Sequence, residues 1–173
     1  MTEAISAVGD AFGRTVMRIT RKIAGLTTMV ATVLGLGLAG AGSAVADAGV
    51  WRAYGNTNPI TSSTSTWRCS SSTTIAASVS AQVCAVRSHS GASVQTAVIV
   101  RNNGSGLYVT EATASMYTLY NGSYALLGTW SCPPSGVAAN SWSVCFGSTF
   151  TYTGSVTAQG QTSTADLGWS PFA

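Results

Sequence analysis

The dipeptide Asn121-Gly122 constrains this chain more than any other feature. Asn and Gly enter positive φ at the least cost, so together they suit the two central positions of a type I′ turn. β-rich sequence flanks them throughout Thr110 to Cys132. Folding about that turn sets Tyr120 opposite Ser123, Leu119 opposite Tyr124, Tyr117 opposite Leu126 and Thr113 opposite Trp130. One face then collects Tyr117, Leu119, Tyr124, Leu126 and Trp130. The other carries Ala114, Thr118, Ala125 and Thr129, with Met116 and Leu127 as exceptions. The hairpin reads as half-buried, its apolar face packed on a second sheet.

The formal charge of +3 misdescribes the folded part, because Arg14, Arg18, Arg21 and Lys22 all precede an apolar stretch from Ile23 to Ala46. Basic residues, an apolar run and a small-residue Ala44-Val45-Ala46 ending have the order of a secretory signal. Residues 1–46 are therefore expected to be a cleaved signal peptide, with a retained membrane anchor as the alternative. Glu3 and Asp10 sit oddly ahead of a basic region, which makes Met17 a candidate true start. Residues 47–173 keep four arginines (Arg52, Arg68, Arg87 and Arg101) and three acids (Asp47, Glu111 and Asp166). With no basic cluster there is little to hold a phosphate backbone or an anionic membrane, so nucleic acid is excluded as a partner. The closing ADLGWSPFA has no sorting motif or hydrophobic tail, and the expectation is a released protein with no stable membrane insertion after cleavage.

Residues 47–66 are turn-rich and polar around Trp51 and Tyr54, and read as a flexible N-terminal segment or a loosely docked strand. Residues 67–173 read as one disulfide-bonded domain. Thr73 to Arg87 alternates, with Ile75, Ala77, Val79, Ala81, Val83 and Ala85 on one face, and reads as a single strand. Val94 to Arg101 follows, then the central hairpin, then the loop Pro133 to Asn140. Trp142, Val144 and Phe146 alternate in the next strand, and two short runs, Phe150 to Thr162 and Ala165 to Trp169, close the chain. About seven short antiparallel strands with turn signals between them imply an all-β fold and a single β-sandwich, with a barrel second.

Four cysteines allow three pairings. Cys132 with Cys145 closes the Pro133-Pro134 loop and leaves Cys69 with Cys84. The rival joins Cys84 to Cys132 or Cys145 between sheets. Cys145 has the opposite parity to Trp142, Val144 and Phe146, so a plain cross-strand bond at Cys145 turns those apolar groups outward. The spacings do not suit zinc, and four cysteines in an exported chain fit an oxidising compartment.

The succession VQTAVIVRNNG, ATASMYTLYNG, YALLGTW and GVAANSWSVCF, over about residues 79 to 162, resembles small bacterial immunoglobulin-like domains of the cell-adhesion (CARDB-like) kind. The resemblance implies an immunoglobulin-like sandwich that binds or spaces and brings no catalytic residues with it.

His89, the only histidine, lies between Ser88 and Ser90 in a turn, where neighbouring residues do not assemble a nucleophile, a base and an orienting acid. Glu111 and Asp166 are the only carboxylates in the expected domain. Glu111 is expected at the rim or paired with an arginine such as Arg101. Neither a phosphate loop nor a cofactor motif occurs, and the expectation is a non-catalytic protein without cofactor or metal. It acts by binding or structural coating outside the cell or in its envelope. A small inhibitor of an extracellular hydrolase is the alternative, with Pro133 to Asn140 as its exposed loop. A polysaccharide-binding module is the second alternative, and cell-wall or extracellular polysaccharide or a secreted protein would be the partner. All five Trp and six Tyr follow Ala46. Tyr117, Tyr124, Trp130 and Trp142 read as core, which leaves Trp51, Tyr54, Tyr120 and Trp169 as the candidate binding residues.

Overall fold

The structure, a computed structural model, describes residues 46–173. The signal segment before Ala46, the choice of start at Met17 and the alternative anchor lie outside the described residues. Along the chain run β1 (Asp47–Ala48), β2 (Val50–Gly55), β3 (Thr66–Cys69), β4 (Thr73–Ala76), β5 (Val79–Arg87) and β6 (Ser93–Asn102). They are followed by β7 (Tyr108–Tyr120), β8 (Ser123–Val137), β9 (Ser141–Phe146), β10 (Phe150–Thr151), β11 (Val156–Thr162) and β12 (Asp166–Trp169). One sheet has the order β1-β8-β7-β11-β12. The other has β2-β9-β6-β5-β3, with β4 added on β5 and β10 on β6. The described residues are thus all-β with five- and seven-stranded sheets. The strands outnumber the seven expected because several are short edge pieces, and β1 joins β8 in parallel.

Alternation builds the interior between the sheets. Val79, Ala81, Val83 and Ala85 of β5 and Val94, Val98 and Val100 of β6 share a core with Ala112, Ala114 and Met116 of β7 and Val156 and Ala158 of β11. Many of these side chains are alanine or valine, and burial of that apolar area drives the association. A second cluster lies on the opposite face of the seven-stranded sheet. There Cys84, Val86, Ala97, Ile99, Val144 and Phe146 are covered by Tyr54, Ile60, Trp67 and Trp142.

The hairpin's tip is as the sequence reads and its interior is not. Asn121 and Gly122 have φ of 50° and 77°, and Tyr120↔Ser123, Leu119↔Tyr124 and Tyr117↔Leu126 are partners. Beyond Leu126 the ladder shifts by one residue, so Trp130 faces Ala114 and Thr113 faces Ser131. An extra residue in one strand reverses the facing of everything after it. Trp130 is therefore buried on the same side as Met116 and Ala114. Tyr117, Leu119, Tyr124 and Leu126 project outward, with Leu119 52% and Tyr124 56% exposed. A strict period of two puts Trp130 and these four on one inward face, and the extra residue separates them.

Two further expectations change, and one is narrowed. Thr73 to Arg87 is a hairpin, not one strand: β4 turns back at Ala77-Ser78, where Ser78 has φ 60°. Of the two readings of residues 47–66, a flexible segment or a docked strand, the structure has strands there, β1 against β8 and β2 against β9. Trp142, Val144 and Phe146 point away from the interior, because Cys145 points into it.

The bridges are Cys69–Cys84 and Cys132–Cys145. The first joins directly opposed residues of β3 and β5. The second joins β8 to β9 and hence one sheet to the other. The parity conflict at Cys145 is resolved because the outward Val144 and Phe146 meet Tyr54 and Trp67, not water. Among the described residues, no helix is long and apolar enough to cross a membrane.

Candidate binding face

The outward face of the five-stranded sheet carries side chains in rows set by strand register. Trp169, Gln159, Ser115 and Thr129 are successive cross-strand partners on β12, β11, β7 and β8. One row further from the hairpin tip stand Asp166, Gln161, Thr113 and Ser131. Toward the tip, Tyr117 lies beside Leu126, and Leu119 beside Tyr124. Hydroxyl and amide groups therefore occupy one end of the face and aromatic and aliphatic groups the other.

At the aromatic end, the Trp169 ring lies 4.9 Å by centroid from both Tyr117 and Tyr124, and Phe172 is parallel to Tyr124 at 6.5 Å. Trp169 is nevertheless 42% exposed. The segment after β12 holds these rings in place. Ser170 N–H donates to the Ala158 carbonyl at 2.8 Å, and Ala173 exchanges both backbone bonds with Val156. Thr157 Oγ1 donates to the Ser170 carbonyl at 2.7 Å. From the other sheet, the Arg87 guanidinium donates to the carbonyls of Gly91, Tyr152, Gly154 and Ala173. One side chain thus ties two loops and this final segment together.

At the polar end, a shallow trough of about 240 Å³ is bounded by Thr113, Ser115, Thr129, Gln159, Gln161 and Asp166. Thr113 pairs with Ser131 and Ser115 with Thr129 through hydroxyl contacts of 2.8 Å. Each such pair leaves one hydroxyl hydrogen and further lone pairs for another partner. Asp166 Oδ1 accepts the Gly168 N–H at 2.8 Å.

Charge divides between the sheets. Arg52, Arg68, Arg87 and Arg101 lie on β2, β3, β5 and β6, whereas Asp47, Glu111 and Asp166 lie on β1, β7 and β12. Arg101 turns to Asn103 Oδ1 at 2.6 Å and to the Trp142 ring. Glu111 is exposed at a bulge of β7.

The structure separates the residues singled out from sequence. Trp51 is half-buried and donates Nε1–H to the Pro133 carbonyl at 2.7 Å. Tyr54 is half-buried against Phe146. Both are on β2, in the other sheet. Tyr120 stands at the hairpin tip, 69% exposed, and Trp169 lies at the centre of the aromatic group. Tyr117 and Tyr124, core by alternation, are outward, because the Leu127 shift leaves no trace in an alternation pattern. Phe172, which lies outside any strand, joins the group through Tyr124. His89 is exposed, and its neighbours Ser88 and Ser90 bond each other at 3.1 Å. Pro133 to Asn140 is not a free loop: Ser135, Gly136 and Val137 pair with Thr110, Val109 and Tyr108. No protein family, curated protein or solved structure matches this chain.

Proposed function

We propose that this is a secreted, non-catalytic β-sandwich of immunoglobulin-like type that binds polysaccharide outside the cell through the outward face of its five-stranded sheet. One observation carries the reading: exposed Trp169, packed at a tilt against Tyr117 and Tyr124, borders a trough of paired hydroxyls and side-chain amides. Sugars present apolar C–H faces and equatorial hydroxyls together, and an aromatic surface beside hydrogen-bonding groups complements both. Apolar rings left exposed in a group, rather than singly, mark an interaction surface. Two disulfides suit an oxidising compartment. The isolated His89, and carboxylates carried on three separate strands, support binding without catalysis.

The test is depletion of the purified, oxidised protein by insoluble chitin, cellulose and cell-wall preparations, with Trp169→Ala beside the wild type. Saturable depletion lost in the variant supports the reading. Depletion equal for the two proteins, or none on any material, overturns it.

A further inference from the structure

Resting on that reading, we infer that the face selects among polysaccharides by charge: it takes neutral chains, prefers chains bearing free amines, and rejects acidic ones. The juxtaposition responsible is Asp166 at the end of a trough whose sheet contains no arginine or lysine.

All four arginines of the described residues belong to the opposite sheet, and all three acids belong to this one. Arg87, which reaches Ala173 in the segment after β12, is held by four backbone carbonyls. A uronic-acid or phosphate-bearing chain laid along the face would meet no arginine or lysine of this sheet and would bring its charge to Asp166. Like charges placed together disfavour the wrong ligand without any contact being lost by the right one. An amine-bearing sugar stacked near Trp169 reaches the opposite situation. Trp169 and Asp166 stand at either side of Leu167-Gly168 on β12 and face Gln159 and Gln161 of β11, so a chain crossing from ring to trough passes the carboxylate. The Gly168 N–H occupies Oδ1 only, which leaves the second oxygen as an acceptor for an ammonium group.

The experiment measures affinity of the intact, oxidised protein for hexasaccharides of N-acetylglucosamine, glucosamine and galacturonic acid by calorimetry. It is run at about pH 6, where amines are protonated, at low and physiological salt. Glucosamine hexamer should bind about three- to fivefold more tightly than the N-acetylated hexamer at low salt, the scale of one exposed ion pair. Galacturonate should bind most weakly. Asp166→Asn keeps an acceptor for Gly168 N–H, and it should abolish the difference in affinity between the amine and the neutral chain. Glu111→Gln, which removes a carboxylate outside the trough, should leave the order intact. Equal affinities for the amine and neutral chains, unaltered by Asp166→Asn, overturn this inference and leave the polysaccharide reading standing. Failure of every hexasaccharide and insoluble material to bind overturns both. So does sedimentation showing a dimer dissolved by Trp169→Ala with no saccharide bound, which assigns the face to a second copy.

Discussion

Cys132 and Cys145 stand on different sheets with their Cα atoms 6.0 Å apart. Gly49, where the chain leaves β1 for β2, lies against both sulfurs. Strand crossover, disulfide and sheet contact therefore coincide, and this bridge closes the sandwich where Cys69–Cys84 only reinforces neighbouring strands. Replacing Cys132 and Cys145 together by alanine should cost about 3 kcal/mol on the loop-entropy view. Thermal unfolding of the double variant against wild type measures it, and an unchanged melting temperature would contradict a closing role.

Gly49→Ala should be costly without touching any functional group. A Cβ there would come within 2.7 Å of Cys132 Sγ and 3.0 Å of the Phe146 carbonyl. Overpacking of this kind costs about 1–3 kcal/mol. Denaturant unfolding of the oxidised protein reads the effect, which should shrink when Cys132 is also made alanine.

Insertion of one alanine between Gly128 and Thr129 should unfold the domain. Ser115 would then face the inserted residue and Ala114 would face Thr129, so that Trp130 would fall opposite Thr113 and turn to solvent. Losing a buried tryptophan from the core costs about 3–5 kcal/mol, a large part of a domain's stability. Circular dichroism and tryptophan emission of the insertion variant report it, and a native spectrum would refute the register argument. Deletion of Leu127, which leaves Gly128 opposite Met116 and Trp130 opposite Ala114, should fold.

Arg87→Met should free the segment after β12. Hydrogen bonds from a charged donor contribute about 1.5–3 kcal/mol, and four carbonyls lose theirs together. Amide exchange should accelerate at Val156 and Ala173, whose mutual bonds depend on that segment. Polysaccharide affinity should fall as well, because Trp169 and Phe172 lose their support.

Trp169→Ala should weaken polysaccharide binding at least about tenfold, or ~1.4 kcal/mol. Its melting temperature should stay close to wild type, since the ring is substantially exposed. Trp51→Phe should behave in the reverse way, losing stability with its bond to the Pro133 carbonyl and keeping affinity. Parallel melting and depletion assays separate the two roles.

Local chemistry was enough to read the all-β class, the turn at Asn121-Gly122 and the alternating strands β5, β6 and β9 from sequence. Positive φ and period two are properties of short stretches, and both survive into the fold. The cysteine pairing was legible, and its place in the fold was not. Spacing suggested Cys132 with Cys145, but that this bond spans the two sheets depended on which way Cys145 points. Alternation divides a strand into two faces without saying which is inward, and for β7, β8 and β9 the other sheet made that choice. Small Ala112, Ala114 and Ala158 fit between the sheets with Met116, leaving Tyr117, Tyr124 and the leucines outside. One unpaired residue, Leu127, then sent Trp130 the other way. The aromatic group around Trp169 joins residues from β7, β8, β12 and the segment beyond. The separation of arginines from acids likewise depends on which strands share a sheet. Both are long-range pairings, decided by core packing and register, which no local stretch of sequence encodes.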